Sequence, residues 1–303
     1  MRPSFYIWRY SARLRPGSGS GSAGAREAQD AARPSIPHGT HGTLELRRHL
    51  FLLRELVKRD FQGRYAGSLL GFAWSFMQPL WLLGLFTFVF SMVLKIKVVD
   101  PGNPGGHFSA YLFSGLLPWF AVQEGVLRSS TSITDNSVLV KKLRFPAEIL
   151  VVAVVLAALL HEAISAVVFL VVLAALGDLA WGGLPVLLVA LPLQVLLTLG
   201  LGLLLAAVQV FFRDTAQLLG MLFAGWFYLT PIVYSLSAVP ARLQPWIELN
   251  PLTPLVVLYR QAFLSGELRL VPGTGALAVS AAVLVSAGLW LFRRLKVAFV
   301  DEI

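Results

Sequence analysis

Residues 147–176 read AEILVVAVVLAALLHEAISAVVFLVVLAAL, a run interrupted only by Glu148, Ser165 and the pair His161-Glu162. A helix needs roughly 20 mostly apolar residues to cross the hydrocarbon core of a bilayer. The run is longer than that and therefore predicts a membrane-spanning helix that is long enough to tilt. It places the chain among integral membrane proteins.

The overall composition supports this class. The chain has 303 residues, of which 56% are hydrophobic and 14% are charged, and its mean hydropathy is +0.72. Soluble domains carry about 25% charged residues, so these charges are too few to cover a water-soluble fold of this size. The net charge of +9 would by itself suggest a nucleic-acid partner, but the apolar composition excludes that interpretation. The absence of cysteine excludes disulfides and thiolate chemistry, and five scattered histidines argue against a metal enzyme.

Five further stretches are also long and apolar enough to span a membrane. The six predicted spans are roughly 69–94, 109–130, 147–176, 185–211, 216–236 and 273–292. The fold class is therefore all-α integral membrane with six transmembrane helices per subunit.

Basic residues orient these spans, because lysine and arginine concentrate on the cytoplasmic side of bacterial membrane proteins. One side carries Arg47, Arg48, Arg54, Lys58, Arg59, Arg64, Lys141, Lys142, Arg144, Arg213, Arg293, Arg294 and Lys296. The other side carries only Lys95, Lys97, Arg242, Arg260 and Arg269. We therefore expect a multi-pass protein of the bacterial inner membrane with both termini in the cytoplasm.

The N-terminal part differs from the rest of the chain. Residues 1–43 contain the linker-like run PGSGSGSAG at 16–24 and six arginines, which predicts a disordered basic extension. It is either a tail without a fixed structure, a segment upstream of the true start, or a contact with anionic lipid. Residues 44–63 place apolar side chains at near-helical spacing among charges, which predicts an amphipathic helix in the cytoplasmic interface. A soluble helix packed on a partner is the alternative interpretation.

Four short blocks stand out beyond hydropathy. The first is RDFQGRYAGSLLG at 59–71, in which Gly63, Gly67 and Gly71 are spaced four apart and predict a small-residue stripe for helix packing. The second is DNSVLVKKLRFP at 135–146, which predicts a short amphipathic helix ended by Pro146. The third is FRDT at 212–215. The fourth runs from Trp226 through YLTPIVY at 228–234 and NPLTP at 250–254 to Tyr259-Arg260.

In this order, the four blocks resemble the permease subunit of ABC-2 type exporters that move O-antigen, capsular polysaccharide or teichoic acid. The resemblance covers about residues 44–303 and implies a homodimer of permeases with two separate nucleotide-binding ATPase subunits. It implies that helix 44–63 is a gate helix, that 135–146 is a coupling helix docked in the ATPase, and that 238–268 is an external re-entrant helix pair before the last span. The apolar segment from Leu252 to Leu264 independently suits a re-entrant segment, because it is too short to span and is bounded by Pro251 and Gly266.

The chain has no Gly-x-x-x-x-Gly-Lys-Ser/Thr run, so it lacks this phosphate-binding loop for ATP. We expect no cofactor in this chain, with ATP and magnesium bound by the partner ATPase. The candidate docking residues combine apolar anchors with bases that would steer toward an acidic cleft. They are Val138, Leu139, Lys141, Lys142, Leu143, Arg144 and Phe145. The alternative is that these bases only follow the positive-inside rule.

Two further sets of residues are candidates for contact with a lipid-linked glycan. Arg59 and Arg64 lie where a lipid pyrophosphate would enter, and arginine suits bidentate phosphate contacts. Aromatic rings would line a sugar path, and the candidates are Trp74, Trp119, Trp226 and Tyr228. The arginines have a competing explanation, which is that they only mark the cytoplasmic side of the membrane. The rings have one as well, because Trp and Tyr collect at membrane interfaces whatever the substrate.

The intramembrane pair His161-Glu162 is costly in lipid and therefore suggests a role. Neighbouring residues on a helix point about 100° apart, so these two are not natural partners of each other. We expect a polar contact with a neighbouring helix or with the second subunit, with Gln123, Gln194 or Gln209 as candidate partners.

The sequence thus favours the permease of an ABC exporter for a lipid-linked surface polysaccharide of the O-antigen or capsule type. An ABC-2 permease for teichoic acid or another hydrophobic cargo is the first alternative. An ion-coupled carrier would need ionisable residues on several spans and inverted repeats. A membrane enzyme would need clustered acidic or histidine residues, and those present are scattered.

Overall fold

The computed structural model describes residues 40–65, 67–95, 107–142, 146–269 and 271–303. Within these ranges all regular secondary structure is helical. The α-helices are α1 (Thr40–Tyr65), α2 (Trp74–Phe86), α3 (Phe108–Asp135), α4 (Ser137–Lys142), α5 (Glu148–Leu176), α6 (Leu187–Phe211), α7 (Thr215–Leu229), α8 (Gln244–Glu248), α9 (Leu252–Arg260), α10 (Thr274–Leu295) and α11 (Phe299–Glu302). Shorter 3₁₀ or π-helical turns lie at Gly71–Ala73, Thr87–Val93, Trp181–Val186, Leu236–Ala238, Gln261–Ser265 and Lys296–Ala298. Residues 1–39, which hold most of the predicted extension, lie outside the described residues.

In the described ranges, four helical segments are long and apolar enough to cross a membrane. They are Gly71–Val93, Glu148–Leu176, Trp181–Phe211 and Thr274–Ala298. These segments match the first, third, fourth and sixth predicted spans. The second predicted span corresponds to α3, which has 28 residues but is less apolar. The fifth corresponds to α7.

Helix α7 is shorter than the sequence analysis predicted. It has 15 residues and ends at Leu229, whereas the predicted span extends to residue 236. Thr230 has an extended backbone and precedes Pro231, and a residue before proline is disfavoured in the α conformation. The chain therefore leaves the helix one residue before the proline and enters an irregular segment.

Helix α3 lies at the centre of the bundle, where it packs against α5, α6, α7 and α9. Most of its side chains are buried, and the serines at 114, 130 and 132 donate hydrogen bonds to carbonyl oxygens three residues earlier in the same helix. A helix enclosed by protein needs no uniformly apolar surface. This position explains why α3 is less apolar than the four candidate spans.

Besides the main core around α3, a second hydrophobic cluster of buried residues lies at the end of the bundle that carries α4. Its buried members include Ile133 at the end of α3, Leu150 at the start of α5 and Phe299 in α11. Leu56 of α1 and Val140 of α4 pack against this cluster. Helices α1, α4 and α11 are therefore joined to the bundle at the same end.

Two glycines allow α6 and α10 to approach each other closely. A methyl group added at Gly288 would lie 2.6 Å from the carbonyl oxygen of Gly200, and one added at Gly200 would lie 2.6 Å from the backbone of Leu284 and Val285. Such distances are too short for a side chain, so the contact between these helices requires glycine on both sides.

We predict that Gly288→Ala destabilises the protein by about 1–3 kcal/mol, because the new methyl group overpacks a backbone contact. Gly275→Ala on the same helix is the matched control, since no atom in the described part of the chain lies within 4 Å of a methyl group there. The measurement is the apparent midpoint of heat unfolding in detergent. Equal midpoints for the two variants would contradict the prediction.

Candidate functional site

Charged side chains of α1 and α3 meet in one cluster. Both terminal nitrogens of Arg128 donate to the carboxylate of Asp60, one of them at 3.0 Å. Arg64 forms an ion pair with Glu124, and Arg128 also lies 3.4 Å from Glu124. Residues far apart in sequence thus form a network of two carboxylates and two guanidinium groups.

A cavity of about 400 Å³ opens beside this cluster and is also lined by Arg59. Arg59 is exposed and donates a hydrogen bond of 2.9 Å to the side-chain oxygen of Asn136. The Nε and Nη2 atoms of Arg64 are buried without a hydrogen-bond partner among the described residues. The two arginines singled out by sequence therefore line one cavity, but Arg64 is neutralised by carboxylates, whereas Arg59 forms no ion pair with another described residue.

The carboxylates were missed by the sequence analysis. Asp60 precedes Arg64 by four residues, and Glu124 precedes Arg128 by four, which is the spacing of neighbours on one helix face. From this spacing the sequence alone could have predicted an acid–base pair within each helix. The ion pairs between α1 and α3 could not be predicted in this way, because they depend on how the two helices pack.

The predicted glycine stripe does not form on one helix. Helix α1 ends at Tyr65, Gly67 follows with φ of 80°, and Gly71 starts the next helical turn with φ of 49°. Only Gly63 lies within α1. Positive φ is a conformation that glycine adopts without strain, so Gly67 and Gly71 allow the chain to turn between α1 and α2. A methyl group at any of the three would meet no atom of the described residues within 4 Å.

The predicted coupling segment contains helix α4, which follows α3 after the single residue Asn136. Val138 is 61% exposed, while Val140 packs on the second hydrophobic cluster. Lys141 is exposed and its Nζ atom donates to the backbone oxygen of Ile303. Leu139 is partly buried. Leu143, Arg144 and Phe145 lie outside the described residues, as does the side chain of Lys142.

Glu162 is buried between three helices. Gln194 of α6 donates a hydrogen bond of 2.6 Å to its carboxylate, and Tyr259 of α9 donates one to the side-chain oxygen of Gln194. Gln194 is thus the glutamine that meets Glu162. The Gln209 side chain instead donates a hydrogen bond to the carbonyl oxygen of Arg213 and accepts one from the backbone N–H of Ala216, in the turn between α6 and α7. His161 lies partly buried beside Glu162 on α5. The acid connects α5 to α6 and, through the glutamine, to α9.

The aromatic candidates divide into buried and exposed rings. Trp119 is only 2% exposed and packs edge-on against Phe223, Trp226 and Phe227, so it belongs to the core and not to a path. Trp74 and Tyr228 are 44% and 73% exposed. Trp226 is partly buried and packs against the core.

The fourth sequence block forms a set of polar contacts after α7. The indole nitrogen of Trp226 donates to the side-chain oxygen of Asn250 at 3.0 Å, and Asn250 donates to the hydroxyl of Thr230 at 2.9 Å. These contacts connect the end of α7 to the start of α9. The block thus has a structural function that hydropathy did not reveal.

Arg260 has a similar role at the end of α9. Its guanidinium lies 3.7 Å from the centre of the Tyr111 ring and donates 2.6 Å to the carbonyl oxygen of Ile232. Gly115 makes room for it, since a methyl group there would lie 3.2 Å from the guanidinium. The arginine therefore holds α9 against α3 and the segment after α7.

We predict that Gln194→Leu lowers stability, because it leaves the Glu162 carboxylate and the Tyr259 hydroxyl without this buried partner. Each buried group left unpaired costs about 1–3 kcal/mol. Leu196→Ala, on the exposed side of the same helix, serves as the control. The readout is the heat-unfolding midpoint in detergent, and a midpoint no lower than that of the control would refute the assignment.

Comparison with known proteins places these features in a family. The family model described as ABC-2 type transporter matches residues 52–264. The O-antigen export system permease protein RfbA of Myxococcus xanthus is 31% identical over 261 residues, which are 86% of this chain and 98% of that protein. RfbA of Klebsiella pneumoniae is 28% identical over 82% of this chain and 94% of its own length. The polysialic acid transport protein KpsM of Escherichia coli is 24% identical over 78% and 91%. The chain belongs to the ABC-2 type transporter family.

Proposed function

We propose that this chain is the permease subunit of an ABC exporter that moves a lipid-linked surface polysaccharide across the inner membrane. The observation that carries the proposal is the match to RfbA over 98% of that relative's length, together with four apolar helices of spanning length. Names of O-antigen and polysialic acid transporters among the relatives favour the O-antigen or capsule type over teichoic acid.

The energy for transport comes from a separate subunit in this proposal. The sequence has no phosphate-binding loop for ATP. ATP and magnesium are bound by two ATPase subunits, which join a homodimer of permeases.

Six spans per subunit follow if α3 and α7 also cross the membrane. Helix α3 is long enough at 28 residues, and its enclosure by other helices removes the need for an apolar surface. Helix α7 needs the irregular segment from Thr230 onward to complete its crossing. Both termini then lie in the cytoplasm, α1 lies at the cytoplasmic interface, and α8 and α9 form the external re-entrant pair.

Helix α4 is the ATPase docking helix in this arrangement. It projects from the end of α3, with Val138 exposed and with its other side fixed by Val140 and by the contact of Lys141 with Ile303. An exposed apolar side chain on a firmly held short helix suits insertion into a partner's cleft.

We predict that Val138→Glu prevents docking, because it buries a charge in an apolar contact. The permease would be co-expressed with its partner ATPase, and co-purification and ATP-dependent glycan export would both be measured. Both should fall at least tenfold, as they should for Phe145→Glu. Leu249→Glu, an exposed apolar position on the opposite side, should keep the ATPase bound. Normal export and co-purification in Val138→Glu would show that α4 does not dock the ATPase.

Arg59 and Arg64 contact the pyrophosphate of the lipid carrier in our proposal. The support is the cavity that both residues line, in which three arginines outnumber two carboxylates. Arg59 is the stronger candidate, because its only described hydrogen bond is to a neutral amide. Arg64 offers two buried nitrogen atoms that make no hydrogen bond to the other described residues, although its charge is balanced by carboxylates.

We predict that Arg59→Gln raises the concentration of lipid-linked glycan needed for half-maximal export by severalfold, since one phosphate contact is lost. Export would be measured in proteoliposomes with the ATPase present. Arg54→Gln, which removes the same charge from an exposed position on the same helix, should have a much smaller effect. Equal effects of both variants would indicate that only net charge matters.

Trp74, Trp226 and Tyr228 remain candidates for the glycan path. Trp74 and Tyr228 are exposed in the single chain. Their rings are therefore accessible to a second permease subunit, to lipid or to glycan. Trp119 is withdrawn from this set because it is enclosed by the core.

A further inference from the structure

The charged cluster contains a pattern that goes beyond phosphate binding. Asp60 and Arg64 are one turn apart on α1, and Glu124 and Arg128 are one turn apart on α3. Asp60 pairs with Arg128 and Arg64 pairs with Glu124, so the order of charges on one helix is matched antiparallel by the other. Two such pairs fix both the position and the direction of α1 along α3.

The same pattern disfavours every neighbouring position. A shift of α1 by one turn in one direction places Asp60 opposite Glu124, and a shift in the other direction places Arg64 opposite Arg128. Like charges at these distances repel. Alternating charges therefore specify one register by attraction and penalise both adjacent ones by repulsion.

The surroundings strengthen this selection. The side chains of Asp60 and Arg64 are 19% and 16% exposed, so dissolved salt screens their interactions less than it screens surface pairs. Together with Leu56, which packs on the second hydrophobic cluster, these ion pairs attach the C-terminal half of α1 to the bundle.

The location links the cluster to helix α4. Arg59 donates to Asn136, the single residue between α3 and α4, and Asn136 donates back to the carbonyl oxygen of Ser132 in α3. The contacts of α1 thus extend along α3 from Glu124 to the point where α4 begins. A displacement of α4 that moves this end of α3 would carry α1 with it.

We propose that Asp60, Glu124 and Arg128, together with Arg64, are positioning residues that lock the register of α1 on α3 and make α1 move with the docking helix. The inference rests on the proposed function, because it concerns transmission from an ATPase to the entry helix. It assigns these carboxylates and Arg128 to coupling and not to contact with the substrate.

The test inverts the charges on one helix or on both. The α1-inverted variant is Asp60→Arg with Arg64→Glu, the α3-inverted variant is Glu124→Arg with Arg128→Glu, and the doubly inverted variant carries all four changes. Either single inversion opposes like charges in the native register. The double inversion restores every pair, including the pairs within each helix.

Register would be read directly by cross-linking. The native chain has no cysteine, so Arg59→Cys with Asn136→Cys supplies the only thiols for a short bifunctional reagent. Cross-linking would be measured in each charge background, and export and ATP hydrolysis would be measured in the same backgrounds with native Arg59 and Asn136, as complexes with the ATPase.

We expect both single inversions to insert in the membrane and hydrolyse ATP, but to lose export and cross-linking at least tenfold. The double inversion should recover cross-linking to within about threefold of the native protein, because it restores the register. It should also export more than either single inversion at saturating lipid-linked glycan, although it lacks Arg64 as a phosphate contact. Normal export in a single inversion overturns the proposal, and so does a double inversion that fails to insert or to recover cross-linking. Absence of export in the native complex would instead contradict the proposed function, while the cross-linking series still reports on the register.

Discussion

The arrangement of this bundle depends on the requirement that polar groups within a membrane find partners inside the protein, because lipid tails offer none. Helix α3 carries buried serines and the charged residues Glu124 and Arg128, and it occupies the enclosed centre. Helix α5 is apolar along most of its length apart from Glu148, Ser165 and the pair His161-Glu162, and Glu162 meets Gln194 from α6. The least apolar of the long bundle helices, α3, is thus enclosed by α5, α6, α7 and α9, whereas the segment Gly71–Val93 buries few of its side chains.

This requirement explains which parts of the fold could be predicted from sequence. The four strongly apolar spans were predictable because a helix facing lipid must be apolar along its whole length. The end of α7 at Leu229 could also have been predicted, since Pro231 restricts the backbone of the residue before it, although the predicted span extends to residue 236. The central position of α3 was not, because it depends on which other helices enclose it, and no local pattern in residues 108–135 records that.

The candidate site was predictable to a similar degree. A buried acid must have a partner, so Glu162 and a short set of glutamines could be named in advance, and Gln194 is the one that meets it. Arg59 and Arg64 were recognisable as bases, but the carboxylates that neutralise Arg64 come partly from a helix 60 residues further along the chain. Trp119 was misjudged for a related reason. An aromatic residue near a span end has the same local sequence whether it faces a path or the core.

Two kinds of helix contact divide the molecule into parts that differ in their freedom to move. Between α6 and α10, Gly200 and Gly288 bring backbone against backbone, with no room for a methyl group on either side. Between α1 and α3, long side chains form the ion pairs, and such side chains tolerate a change of helix angle better than a contact between backbones does. A protein that must pass a polymer without letting the membrane leak needs both a rigid helix contact and a contact that allows a helix to change its angle. The tight glycine contact suits the part that stays closed, and the charged contact beside α4 suits the part that moves, because it keeps its register while its angle changes.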